Sequence, residues 1–157
     1  MSNAPIIKFR GDNYFLSNFY PCKIKIDSFT YDYAENAFQS FKNQSESYKY
    51  NLQRVLPKVA KHKGRHIKLI NNWEDIKDYV MYYVVYQKFL QNPELAKKLL
   101  ATSGKKLIEC NEWHDCYWGV CTCHKCHDKI KYNKLGIILE FVRMQLQSGG
   151  ICYEIQR

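Results

Sequence analysis

The chain has 157 residues, 46% of them hydrophobic and 15% aromatic, enough for one domain with a real core and too few for two comfortable ones. Lysine plus arginine exceed aspartate plus glutamate by 24 to 15, and the resulting net charge of +9 makes an anion-attracting field. No segment reaches the ~18 uninterrupted apolar residues of a membrane span, and the opening residues hold no signal-peptide run. Seven cysteines, an odd number, read as reduced thiols rather than a disulfide framework, so a soluble cytoplasmic protein is expected.

In chain order, Ile6 to Phe9 is expected to be extended, and Cys22 to Ile26 alternates with period two. A turn at Asp27-Ser28 then returns Phe29 to Tyr33 as a hairpin. From Asp32 the pattern changes: Asp32-x-x-Glu35 is a capping-box signature, and Ala34, Phe38 and Phe41 form the apolar stripe of a helix reaching about Gln44. Residues 51–70 hold helical stretches interrupted near Pro57 and Gly64, and Trp73 to Leu90 gives an aromatic amphipathic helix. Asn92 caps a further helix with Pro93 at its first position, ending at Ser103-Gly104. Lys106 to Cys110 reads as one strand and Leu135 to Gln147 as a last helix, with a tail over 148–157. The expected class is α+β, mainly α: a compact domain over residues 1–147 with a small N-terminal β hairpin or sheet packed on several helices.

Chemistry-bearing residues concentrate on the first helix and in one late loop. Glu35, Gln39 and Lys42 stand at i, i+4 and i+7 and share a face, although Glu35 would do no more than complete the capping box if that reading held. Trp113 to Gly119 supplies an acid, Asp115, and two indoles, Trp113 and Trp118, with Gly119 beside the second; Asn133 is placed to cap the last helix. Lys88 sits near a helix C-terminus, where lysines commonly complement the dipole, and Glu109 ends the expected strand at a position suited to a cleft or a rim.

Cys121-x-Cys123-x-x-Cys126, with His114, Cys116, His124 and His127 nearby, has part of a zinc signature. All candidates lie in one loop and the spacing defines no fourth ligand. Free thiols are therefore the first reading of Cys121, Cys123 and Cys126, no cofactor is expected, and a structural zinc is the alternative.

Several short motifs stand in a fixed order along the chain. They are Phe15-Leu-Ser-Asn18-Phe-Tyr-Pro21, Tyr33-Ala-Glu35-Asn36 with Gln39 and Lys42, Lys63-Gly-Arg65, Trp73, Val80-Met81, and Lys88-Phe89 with Asn92-Pro93. Leu99 to Thr102, Leu107-Ile-Glu109, Asp115 with Trp118-Gly119, Asn133-x-Leu-Gly136 and Val142-Arg143 follow. Together, over residues 6–147, they resemble the NADAR family. The resemblance implies a mostly helical α+β domain acting as an N-glycosidase on ribosylamine-type bonds. Its substrates would be phosphoribosylated pyrimidine intermediates of riboflavin synthesis or ADP-ribose attached to guanine bases, including in DNA. The chain departs from the usual family pattern in having Asn36 where a histidine follows the glutamate, and Lys131 where a glycine stands two residues before the asparagine.

Cleaving a C1–N bond requires stabilisation of a cationic carbon, a proton for the departing amine, and water. On the resemblance, Glu35 is expected as acid/base, Lys42 as a nucleophile or phosphate contact, and Asp115 as the group orienting the ribose hydroxyls. Trp118 and Trp73 would sandwich the base, and Asn133 would donate hydrogen bonds at a helix N-terminus able to take a phosphate. Arg65 and Lys88 would pair with phosphates, and Asn18, Gln39, Glu109 and Gly119 would complete the substrate site. The rival reading is a nucleotide- or nucleic-acid-binding module without turnover, zinc-stabilised or not, suggested by the +9 charge and the aromatic content. Nothing in the sequence calls for a membrane or an obligate protein partner.

Overall fold

The computed structural model describes residues 4–149, so most of the expected tail lies outside the described residues. β1 (Ile6–Ile7) leads through a 3-10 turn (Gly11–Leu16) into the hairpin β2 (Pro21–Ile26) and β3 (Phe29–Tyr33). Six α-helices follow among the described residues: α1 (Ala34–Ser40), α2 (Glu46–Tyr50), α3 (Pro57–His66), α4 (Trp73–Leu90), α5 (Pro93–Leu100) and α6 (Lys134–Gln147). Between α5 and α6 lie β4 (Leu107–Ile108), β5 (Cys110–Asn111), β6 (Val120–Cys121) and a second 3-10 turn, His124–Cys126. No helix among the described residues is long and apolar enough to cross a membrane.

The hairpin follows from its alternation: Cys22, Ile24 and Ile26 point into the core while their neighbours face water. Asp27 takes φ +53° at the turn, a left-handed conformation that aspartate tolerates. α4 is the spine. Val80, Met81, Val84, Val85, Lys88 and Phe89 recur at helical spacing on its buried face, against which α1, α5, α6 and β2 pack. β1 does not join the hairpin; it pairs in parallel with β4, and β5 pairs in parallel with β6, giving three two-stranded sheets among the described residues.

The structure revises several expected boundaries. The capping box does not form, because Asp32 is still in β3 and pairs with Lys23, while α1 begins at Ala34 with Tyr33 as an N-cap that makes no side-chain bond. α1 ends at Ser40 rather than near Gln44, so Lys42 belongs to the turn that follows. Pro57 opens α3 instead of interrupting it, as its missing N–H allows, and Gly64 lies within that helix against Gln39. α5 ends at Leu100, short of Gly104. The expected strand from Lys106 to Cys110 is split at Glu109 into β4 and β5, which pair with different partners.

Candidate active site

A cleft of about 700 Å³ opens between the segment from Phe9 to Phe19, helices α1 and α3, the β4–β5 junction and the loop carrying Trp113, Asp115 and Trp118. That size suits a nucleotide-scale ligand. Its location follows from where α1 starts. The Glu35 N–H donates to Asn18 O at 3.0 Å, which locks the first turn of α1 against the N-terminal segment and points its polar face into the cleft. Glu35 and Gln39 are therefore buried although they are polar.

Glu35 is 6% exposed and accepts a 2.8 Å hydrogen bond from Gln39 Nε2. Burial pushes its carboxyl pKa up, against the pull of Lys61, the Gln39 bond and Lys42. Lys42 donates to Gly64 O at 3.0 Å and lies 5.6 Å over the Trp73 ring. Burial lowers its pKa and nearby Arg65 and Lys61 add to the effect, while Glu35 opposes it. Glu109 is pushed up to about 7, first by burial and then by Asp115, so it changes protonation near neutrality. The Asp115 carboxylate accepts from the backbone N–H groups of Tyr117 and Trp118 at 3.1 and 2.9 Å, which orients it in the cleft wall.

The cleft is lined by aromatic rings: Trp118 meets Phe38 edge-on at 5.4 Å between centroids, and Arg10 lies 5.8 Å over the half-exposed Trp113. Arg10, Lys42, Lys61 and Arg65 surround the same opening. Three side-chain oxygens on cleft-lining residues, Asn18 Oδ1, Gln39 Oε1 and Glu109 Oε2, are buried with no hydrogen-bond partner among the described residues. Such groups normally find one, so a ligand or water is their natural complement.

Asn18, Glu35, Gln39, Lys42, Arg65, Glu109, Asp115 and Trp118, all expected from the sequence, are thus brought together. Four others stand behind the cleft. Trp73 is 5% exposed and packs at a tilt against Phe38, 5.3 Å between centroids, so it supports Lys42 and cannot sandwich a base. Lys88 is fully buried and donates to Phe15 O and Ser17 O at 2.6 and 2.8 Å. Its ammonium braces the segment carrying Asn18 and is out of reach of a phosphate, and burial pushes its pKa down to about 8. Gly119 packs against β5, where an added Cβ would overlap Glu109 O. Asn133 has φ +49° and no side-chain cap bond; its amide donates to Leu107 O at 2.9 Å and accepts from the Glu109 N–H at 3.1 Å. It ties α6 to the strand junction and positions Glu109.

The Asn36 side chain also faces away from the cleft, donating to Leu52 O and Val55 O at 2.7 Å each. The departure from histidine at this position therefore concerns the loop after α2. Arg10, Tyr14, Phe19 and Lys61 line the cleft without having been singled out in the sequence. For Lys61 a signal existed: it precedes Arg65 by four residues on a helix opened by Pro57, which puts both cations on one face. Arg10 and Phe19 reach the site from non-helical backbone and Tyr14 from a short 3-10 turn, which carry no such periodicity. Outside the cleft proper, His114, Cys121, Cys123 and Cys126 form a compact cluster at the base of the same loop, and their donor types suit a soft divalent metal.

The family model for the NADAR domain matches residues 8–147. The chain is 41% identical over 133 residues to the N-glycosidase YbiA of Escherichia coli (strain K12), covering 83% of this chain and 79% of that protein. It is 33% identical over 141 residues to a riboflavin biosynthesis protein of Vibrio vulnificus, covering 85% of this chain and 35% of that longer protein. The NMR structure of the E. coli protein YbiA superposes with a TM-score of 0.79 and 35% identity, covering 95% of this chain and 88% of that one. Fold, sequence and the extent of the match agree, and the chain belongs to the NADAR domain family.

Proposed function

We propose that this chain is a hydrolase of N-glycosyl bonds that separates a phosphorylated ribose from an amine-bearing pyrimidine. The observation that carries the reading is the cleft itself. Two carboxyls with raised pKa values and a lysine with a lowered one share a space whose buried polar oxygens lack partners among the described residues. The names of the E. coli and Vibrio relatives point to the same chemistry. Arg10, Lys61 and Arg65 would take the phosphate, and the wall of Phe38 and Trp118 the flat heterocycle.

For a ribose on an exocyclic amine, ring opening gives an imine at C1. Lys42, its amine pKa depressed, adds through Nζ to that carbon; the C1–N bond to the base breaks, and the two protons that Nζ gives up pass in turn through Glu35 to the departing nitrogen, which leaves as a free amine. Water then hydrolyses the Lys42–C1 imine, restoring the amine and freeing the sugar phosphate. Asp115 would hold the ribose hydroxyls, and Glu109, poised near neutrality, would serve the water step.

The net charge of +9 favours a second substrate for the same reaction, ADP-ribose attached to guanine in nucleic acid. Purified protein is incubated separately with the phosphoribosylaminopyrimidine of riboflavin synthesis and with ADP-ribosylated guanine DNA, and release of free base is followed. Release from the first is expected, and Glu35→Gln should lower it by a factor of about 10² or more with little change in melting temperature. Borohydride added during turnover should leave a sugar adduct on Lys42. Turnover of neither substrate, with salt-sensitive DNA binding instead, would establish the non-catalytic binding module.

A further inference from the structure

The thiol cluster of this loop takes no part in the reaction just described, yet its geometry is specific. Ligand atoms of His114, Cys121, Cys123 and Cys126 all lie within 4.8 Å of one another. His114 Nδ1 is 3.1 Å from Cys123 Sγ and 3.6 Å from Cys126 Sγ, and Cys121 Sγ is 3.2 Å from Cys123 Sγ. Tetrahedral zinc bonds of about 2.3 Å to sulfur and about 2.0 Å to nitrogen place neighbouring donors roughly 3.5–3.8 Å apart. The four groups are already near those edges. None of the three thiols is in a disulfide, whose sulfurs would stand about 2.05 Å apart.

Two further observations bear on the same point. His114 adopts φ +68°, a left-handed backbone uncommon for a residue with a Cβ, and it sits directly between the cleft residues Trp113 and Asp115. Within residues 112–132, Gly119, Cys121 and Cys126 are the buried residues. The loop has no apolar core of its own; its interior is the thiol cluster. Tyr117 ties the loop to α4 through a 2.6 Å bond to Asp78, and β6 is laddered onto β5, whereas the backbone bonds of the second 3-10 turn are all local, from Cys126 to Cys123, His127 to His124 and Lys129 to Cys126.

We infer that His114, Cys121, Cys123 and Cys126 bind one zinc ion in a closed Cys₃His site that staples this loop and sets Trp113 and Asp115 in the cleft wall. All four positions are filled by protein, so the ion is structural, and the thiolate donors select zinc over magnesium or calcium. Binding exchanges the three thiol protons for the metal and releases them to solvent. The assignment is independent of the glycosidase reading and stands or falls on metal content.

The test is elemental analysis of the full chain purified without chelator, together with the absorption spectrum of protein loaded with cobalt(II). About one zinc per chain is expected, with the intense visible bands and thiolate charge-transfer band of tetrahedral cobalt. Cys123→Ser, at a partly exposed position, should lose the metal, while Cys110→Ser and Cys116→Ser should keep it. A folded wild-type protein with negligible zinc, no tetrahedral cobalt spectrum and freely titrating thiols overturns the assignment. So does an intact mass lower by two hydrogens, which would reveal a disulfide, or zinc lost from Cys116→Ser but retained by Cys123→Ser. Should a variant fail to fold, the wild-type stoichiometry and cobalt spectrum decide alone.

Discussion

Replacing Glu109 by Gln keeps the side chain's shape and removes its titration. In the native protein burial and Asp115 raise this carboxyl from an ordinary 4.5 to about 7. At about 1.4 kcal/mol for each tenfold change in proton affinity, that displacement corresponds to about 3 kcal/mol. Part of the side chain meets cleft water, and screening brings the expected effect to about 1–2 kcal/mol. The folded state holds the proton more tightly than the unfolded chain does. The stability owed to Glu109 is therefore complete below about pH 4.5 and is lost as the pH rises through about 7. Urea unfolding of both proteins at about pH 5 and about pH 8 measures this directly: the glutamine variant should gain about 1–2 kcal/mol on the parent between the two conditions. Glu35 titrates in both proteins, so it cancels to first order. Parallel stability curves across that interval would refute the claim that Glu109 is held protonated by its surroundings.

Two other substitutions probe the scaffold behind the cleft. Lys88→Met preserves bulk but strips Phe15 O and Ser17 O of their donor, and should cost about 2–4 kcal/mol in urea unfolding and raise KM by loosening the segment around Asn18; a loss under about 1 kcal/mol would mean the ammonium is not a brace. Gly64→Ala would gain about 1 kcal/mol from helix propensity if α3 were free at that point, but the new methyl overlaps Gln39 Oε1. A net loss of about 1–3 kcal/mol and a fall in kcat/KM are expected, and a raised melting temperature would sink the packing argument.

What could be read without the fold followed from local chemistry. The alternation from Cys22 to Ile26 can bury only one face of a strand, and the apolar spacing from Trp73 to Leu90 can bury only one stripe of a helix; both elements appear where expected. The ordered motifs pointed to the family and to the residues that now face one another across the cleft. That Lys88 is a brace was latent in its position seven residues after Met81 on the core stripe, but spacing alone does not distinguish a buried ammonium from one that snorkels to solvent.

The tertiary structure decided matters of distance between parts of the chain remote in sequence. Asp32-x-x-Glu35 satisfies a local capping rule, yet the hairpin keeps Asp32 in a strand and the Asn18 carbonyl claims the Glu35 N–H, so the carboxylate is left for the cleft. Glu109 acquires a pKa near neutrality only because a buried environment, and then Asp115, close around it. The cysteine spacing supplied three donors, and the fourth came from His114 across the loop, brought in by a left-handed backbone that no spacing rule encodes. Periodicity determines which face of an element is apolar, because that depends on neighbours three or four residues away. Which polar groups meet in a site depends on how the elements pack, and that is settled by contacts spanning the whole chain.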